Sequence, residues 1–243
     1  MIRVFPERKR GKAWIPKDDL SFIGDPPLFL PPEQPVFISV VFTWDISEGQ
    51  RLKRAWERHY SDVRIGGPAF NDIGEDFEPG RFIKNGVTIT SRGCPYSCPW
   101  CFVPAREGEL RELEIRDGYI IQDNNLLACS KSHIEKVFAM LSCQHHPAEF
   151  AGGLDAKLLT EWHINLLQQI RINQMWFSCD TIDAIPQLER IGPLLDSFPL
   201  IKKRCYVLVG FDGESMDEAE ARLLRILEVG FLPFAMLYKA MND

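Results

Sequence analysis

A loop with three cysteines follows an apolar, β-branched run in the stretch Val87-Thr88-Ile89-Thr90-Ser91-Arg92-Gly93-Cys94-Pro95-Tyr96-Ser97-Cys98-Pro99-Trp100-Cys101. The cysteines have the spacing C-x-x-x-C-x-x-C, which brings three thiols into eight residues. Gly93 permits unusual backbone angles, and Pro95 and Pro99 stiffen the turns, so one short loop can direct all three sulfurs to one centre. Three thiolates on one loop indicate metal chemistry.

The spacing predicts a metal centre with three protein ligands. Disulfide pairing within the loop would leave one cysteine over, and cysteines this near in sequence bridge poorly. A zinc site normally takes a fourth ligand from a second paired spacing, C-x-x-C or H-x-x-x-H, and no such pair occurs elsewhere in the sequence. Three ligands therefore suggest a centre with one open coordination position.

The motif Cys94-x-x-x-Cys98-x-x-Cys101, with Trp100 before its last cysteine, resembles the cluster loop of the radical S-adenosylmethionine superfamily. The resemblance extends from about residue 86 to residue 243. It implies that Cys94, Cys98 and Cys101 hold three irons of a [4Fe-4S] cluster, whose fourth iron binds S-adenosylmethionine. It also implies reductive cleavage of that cofactor to a 5′-deoxyadenosyl radical, which abstracts hydrogen from an unidentified substrate.

The resemblance implies a low-potential electron donor, such as flavodoxin or ferredoxin, as a partner. Two alternatives remain open. In the first, the chain is a non-catalytic module in which the loop holds zinc or an iron-sulfur centre structurally. In the second, cobalamin assists a radical methyl transfer, as in the cobalamin-associated branch of the superfamily.

Composition is that of an ordinary globular protein without a membrane-spanning run. The 243 residues carry a formal net charge of −6, which does not indicate nucleic acid as a partner, although a short basic run, Arg8-Lys9-Arg10 with Lys12, lies near the N-terminus. The N-terminus lacks the basic-then-apolar order of a secretory signal, so we expect a cytoplasmic protein. Four further cysteines, scattered among apolar neighbours, are expected to be buried free thiols: Cys129, Cys143, Cys179 and Cys205.

The sequence predicts three regions. Residues 1–35, rich in proline and charge, are expected to form an extended arm. Residues 36–80 are expected to form a small β-α-β extension, with strands near Val36 and Val63 around one helix. Residues 36–68 resemble a fragment of the cobalamin domain, but Ser47 stands where histidine would ligate cobalt, so the extension is interpreted as a remnant.

Residues 81–243 are expected to form the core domain. Six strands starting at Val87 alternate with helices, which predicts an α/β fold with a parallel sheet. This number matches the partial (β/α)6 barrel of the radical superfamily. The charged segment 102–118 could be a helix or an extended cover.

Strand ends supply the other candidate site residues, because in a parallel barrel they converge on one mouth. The resemblance implies that Asp123-Asn124-Asn125 accepts hydrogen bonds from the cofactor's amino group, that Asp180 lies near its ribose or amino group, and that Gly210 lets adenine approach. Trp100 is expected to shape the pocket, and Asp155 to face the mouth. The alternatives are ordinary turns for the asparagines and Gly210, a helix N-terminal charge for Asp180 and plain packing for Trp100.

Overall fold

The structure is a computed structural model that describes residues 1–6, 14–72 and 77–238. The chain divides into two compact units, Met1–Val87 and Thr88–Asp243. The boundary between the two units falls after Val87. The basic run Arg8-Lys9-Arg10 with Lys12 lies outside the described residues.

The first unit contains a parallel sheet of four described strands and a helix that crosses between two of them. The strands are β1 (Ile2–Phe5), β2 (Ser21–Ile23), β3 (Val36–Ser39) and β4 (Val63–Gly66), hydrogen bonded in the order β2-β1-β3-β4. Helix α1 (Ile46–Trp56) connects β3 to β4, and all three strand pairs are parallel. The β-α-β unit expected from residue 36 onward is confirmed.

The N-terminal segment differs from the extended arm expected over residues 1–35. It supplies β1 and β2, and β1 lies between β2 and β3 inside the sheet. Ile2 and Val4 are fully buried, since their alternating side chains share one apolar core with Val36 and Ile38 of β3. Strands of three and four residues within a proline-rich segment give little periodic signal, which is why the sequence pattern missed them.

The second unit contains eight described strands. They are β5 (Val87–Thr88), β6 (Ser91–Arg92), β7 (Arg111–Glu112), β8 (Ile120–Ile121), β9 (Ala148–Phe150), β10 (Ile172–Ser178), β11 (Lys203–Val209) and β12 (Leu232–Leu237). Six of them form one sheet in chain order, β5-β8-β9-β10-β11-β12, and the four pairs from β8 to β12 are parallel. The predicted six strands and the α/β class are confirmed. Within the described residues, the sheet runs from β5 to β12 without closing.

Five described helices accompany these strands. They are α2 (Val103–Glu107), α3 (Lys131–Ser142), α4 (Glu161–Gln168), α5 (Ile185–Ile191) and α6 (Met216–Glu228). Helix α6 begins with a capping box, in which the side chains of Ser215 and Glu218 accept from each other's backbone N–H groups. Because the strands are parallel, their carboxyl ends meet at one edge of the sheet. No helix in the described part of the chain is long and apolar enough to cross a membrane.

The charged segment 102–118 contains both a helix and a strand. Helix α2 is short, and β7 pairs antiparallel with β6 in the register Ser91↔Glu112 and Arg92↔Arg111. The cysteine loop therefore lies between the two strands of this hairpin. The hairpin holds the loop at the carboxyl end of β5.

Candidate metal and cofactor site

A cavity of about 680 Å³ lies at the carboxyl ends of the second unit's strands. Its walls come from the loops after β6, β8, β9 and β10 and from side chains of β11 and β12, among them Tyr206, Leu208 and Met236. This volume is within the range of about 300–1,000 Å³ that small-molecule sites occupy. The cavity therefore lies at the strand ends, the position expected for the site.

All three cysteines of the loop line this cavity. Cys94 and Cys98 are partly buried, Cys101 is exposed, and all are free thiols. The pKa of the Cys98 thiol is raised by burial and then by the neighbouring Cys101 and Cys94. Among the described residues, however, no three His, Cys, Asp or Glu side chains form a group that could hold one metal ion. The three thiols share one wall of the cavity.

Gly93 sets the path of the backbone into the loop. Its φ is +80°, and a Cβ atom there would lie 2.1 Å from the carbonyl oxygen of Glu109. Its N–H donates to Oδ1 of Asn124 at 3.0 Å. Glycine is therefore required both by the left-handed conformation and by the close approach of the hairpin backbone. The expectation that Gly93 adopts an unusual backbone conformation is confirmed.

Asn125 and Asp155 connect the loop to two other strand ends. Nδ2 of Asn125 donates to Oδ2 of Asp155 at 3.1 Å and lies 3.8 Å from Sγ of Cys94. Asp155 also accepts from the backbone N–H of Lys157 at 2.9 Å. Oδ1 of Asn125 is buried and has no hydrogen-bond partner among the described residues. An orphaned acceptor on the cavity wall fits a ligand that brings a donor.

Asp123 has a different position from its two asparagine neighbours. It is 1% exposed, and it is not among the residues that line the cavity. Its carboxylate accepts from the N–H and the hydroxyl of Thr90, both at 2.6 Å, and from the hydroxyl of Ser91 at 2.7 Å. In the structure Asp123 thus ties the first strand end to the second, whereas Asn124 and Asn125 face the cavity.

Trp100 and Asp180 meet across the cavity wall. The indole N–H of Trp100 donates to Oδ2 of Asp180 at 3.2 Å. Burial raises the pKa of Asp180, although the hydrogen bond from Trp100 acts in the opposite direction. Trp100 also contacts Phe211 edge-on, with ring centroids 5.2 Å apart. The pair fixes the end of the cysteine loop against the end of β10.

Gly210 does not lie among the cavity-lining residues. Its φ of +79° places it in the left-handed region, where it turns the chain after β11. Its N–H donates to Oε2 of Glu214 at 3.1 Å. These contacts favour the tight-turn interpretation that the sequence left open beside the adenine contact.

Several cavity residues had no role in the sequence analysis, namely Tyr96, Glu107, Lys157, Tyr206 and Met236. Burial and the neighbouring Asp155 raise the pKa of Tyr96 to about 12. The position of Tyr96 inside the cysteine loop was a usable signal for it. No feature of the sequence marked Glu107 as a cavity residue, because a glutamate in a charged segment cannot be distinguished from a solvent-exposed one.

No protein-family model matches this chain, and no curated protein matches it.

Proposed function

We propose that the chain is a radical S-adenosylmethionine enzyme. The observation that carries the proposal is that Cys94, Cys98 and Cys101 line one cavity at the strand ends, together with an unpartnered acceptor on Asn125. The sheet order supports the finer fold proposal as well. Parallel strands hydrogen bonded in chain order are the arrangement that a partial (β/α)6 barrel requires.

A single metal ion and a [4Fe-4S] cluster make different demands on the three thiols. A mononuclear zinc site needs all its sulfurs about 2.3 Å from one ion. In a [4Fe-4S] cluster each thiolate binds a different iron, so the sulfurs are spaced further apart. The three-cysteine spacing, with no fourth paired ligand elsewhere in the sequence, is what favours the cluster here.

The proposed roles follow the contacts. Cys94, Cys98 and Cys101 would hold the cluster, and Oδ1 of Asn125 would accept from the amino group of S-adenosylmethionine. When bound, the cluster and this cofactor would supply reductive, one-electron cleavage of a sulfonium. Asp155 orients Asn125 through the 3.1 Å hydrogen bond, and the Trp100–Asp180 pair limits the cavity on the side of β10.

A hydrogen bond to a ligating side chain can hold that side chain in place before the metal binds. Nδ2 of Asn125 is directed at both Asp155 and the sulfur of Cys94. An N–H group near a ligating sulfur stabilises its negative charge, and it shifts the reduction potential of a cluster. Asn125 would therefore serve the cluster with its nitrogen and the cofactor with its oxygen.

The test is anaerobic reconstitution with iron and sulfide, followed by dithionite and S-adenosylmethionine. We expect about four irons per chain, the stoichiometry of a [4Fe-4S] cluster, and release of 5′-deoxyadenosine. Replacing Cys94, Cys98 or Cys101 by alanine should abolish both cluster and product. The matched control is Cys143→Ala, because Cys143 is exposed and lies outside the cavity. A fully loaded cluster that forms no 5′-deoxyadenosine would refute the proposal.

Metal analysis of the chain purified anaerobically separates the remaining alternatives. One zinc per chain without iron or sulfide would instead support a structural metal module. Retention of added cobalamin would support assisted methyl transfer. Under the proposal, reduced flavodoxin or ferredoxin should replace dithionite as the electron donor.

A further inference from the structure

One carboxylate in the cavity wall has an oxygen without a partner. Glu107, the last residue of α2, lines the cavity, and its side chain is 10% exposed. Oε1 accepts from Nη1 of Arg92 at 3.0 Å, while Oε2 is buried and has no partner within the described residues. A buried carboxylate oxygen without a donor costs free energy, so a donor brought in by a ligand would stabilise it.

The charges around the cavity favour a cationic donor. Four carboxylates line it against two cationic side chains: Glu107, Asp155, Asp180 and Asp183 against Arg106 and Lys157. Asp155 and Asp180 already accept hydrogen bonds inside the wall, from Asn125 and from Trp100. Arg92, which is outside the lining, pairs with Glu107 through Oε1. Glu107 is buried and still has an acceptor oxygen available.

Apolar side chains complete the wall. Phe102 precedes α2 and Val103 is its first residue, and Leu208 and Met236 come from β11 and β12. Apolar surface of this kind binds hydrocarbon, because its contact with water is then removed. The lining thus combines one buried anionic acceptor with surface suited to an aliphatic chain.

We propose that the cavity binds a primary amine carried on an apolar chain, with its ammonium group donating to Oε2 of Glu107. The amine is a second ligand beside S-adenosylmethionine, whose amino group already has a proposed acceptor in Oδ1 of Asn125. The proposal deepens the proposed function and rests on it for one point, namely that this amine is the substrate of the same site.

The test measures binding of n-hexylamine to the full-length chain by isothermal titration calorimetry, before any iron is added. n-Hexanol has the same chain with a neutral head group, and we expect it to bind at least tenfold more weakly. Glu107→Gln should weaken n-hexylamine binding at least tenfold, the loss expected for a hydrogen bond to a charged group. The matched control is Glu109→Gln, which alters an exposed glutamate outside the cavity and should leave binding unchanged.

Glutamine at position 107 retains an acceptor for Arg92, so the variant should still fold, and thermal unfolding checks this. If it does not fold, the comparison of n-hexylamine with n-hexanol on the wild type still decides. Equal binding of the two compounds, or undiminished amine binding by a folded Glu107→Gln variant, would overturn the proposal. A tenfold loss of S-adenosylmethionine binding in that variant would overturn it too, because Glu107 would then hold the cofactor itself.

The two proposals fail separately. Amine binding by a chain that assembles no cluster would refute the radical function alone. A chain that cleaves S-adenosylmethionine and shows no preference for n-hexylamine would refute the amine site alone.

Discussion

At the scale of single residues, Asp123 shows how a buried carboxylate can build a site without facing it. Its three hydrogen bonds from Thr90 and Ser91 hold the chain that leads into the cysteine loop. Burial raises the pKa of Asp123, although these hydrogen bonds act to lower it. The folded state therefore binds the proton of Asp123 more tightly than the unfolded state does.

Removing this carboxylate should destabilise the second unit. In Asp123→Ala the N–H of Thr90 loses its acceptor and cannot rotate to find another, which costs about 1–3 kcal/mol. Urea denaturation would measure the loss. Asp196→Ala is the control, because Asp196 is exposed and its replacement should change the free energy of unfolding by less than about 0.5 kcal/mol. An equal loss in both variants would contradict the role given to Asp123.

The same residue predicts a pH dependence with a definite sign. The pKa of Asp123 is raised in the folded state. The stabilising contribution of the protonated carboxyl is therefore full below the ordinary pKa of Asp, and it is lost as pH rises through the pKa that Asp123 has in the folded protein. Asp123→Asn has no such titration. The wild type should therefore lose free energy of unfolding relative to Asp123→Asn as pH rises from acid toward neutral. A constant difference across urea denaturations in that pH range would disprove this.

At the scale of elements, α6 supports two strand ends through one buried arginine. Arg222 is 2% exposed, and it donates to the carbonyl oxygens of Cys179 and Leu208 and to the carboxylate of Glu214. Cys179 follows β10 and precedes Asp180, and Leu208 is the penultimate residue of β11. The helix thus fixes the backbone that carries the Trp100–Asp180 contact.

Arg222→Met should lower the free energy of unfolding by about 3 kcal/mol, because it leaves Glu214 without its cation and removes a donor from two carbonyl oxygens. Adding Glu214→Gln should recover part of the loss, since it removes the uncompensated charge. Thermal and urea unfolding would measure both.

Arg225→Met on the same helix is the control. Arg225 is 51% exposed and should cost no more than about 1 kcal/mol. Similar losses for Arg222 and Arg225 would count against the supporting role of α6.

At the scale of the whole molecule, the seven cysteines fall into distinct environments. Cys129, Cys179 and Cys205 are buried, as expected, but Cys143 is exposed at the end of α3, contrary to the expectation of a buried thiol. Cys143 is exposed because it directly follows α3, beyond the buried apolar face of the helix, whose last buried residue is Leu141. Burial raises the pKa of Cys129 and of Cys179 to about 11, and it raises the pKa of Cys205 further.

These environments predict a pattern of alkylation along the chain. With iodoacetamide at pH 8, Cys101 and Cys143 should react first, because the thiolate is the nucleophile and both side chains are exposed. Cys129, Cys179 and Cys205 should react only after unfolding. Loading with iron and sulfide should protect Cys94, Cys98 and Cys101 and leave Cys143 reactive. Peptide mass spectrometry reads each site, and rapid reaction of Cys205 in the native chain would refute the packing described for β11.

The second unit was more predictable than the first for a physical reason. Its helices are long enough for apolar periodicity, and its turns carry Gly and Asp at the strand ends, so six strands could be placed. In the first unit β1 is four residues long and becomes a strand only because β2 and β3 pair with it. Pairing between residues distant in sequence leaves little trace in a short segment.

By itself the sequence determined the three-cysteine loop, the glycine at its start and the alternation of strands and helices, because each depends on neighbours along the chain. Tertiary structure decided which residues meet. Asn124 and Asn125 line the cavity, whereas Asp123 and Gly210 do not. Glu107 lines it too, and its Oε2 is buried without a donor among the described residues. Such assignments depend on the three-dimensional packing of distant segments, which local spacing does not specify. The cysteine loop therefore predicts how a radical would be generated, while the cavity assembled around it leads to a testable substrate class.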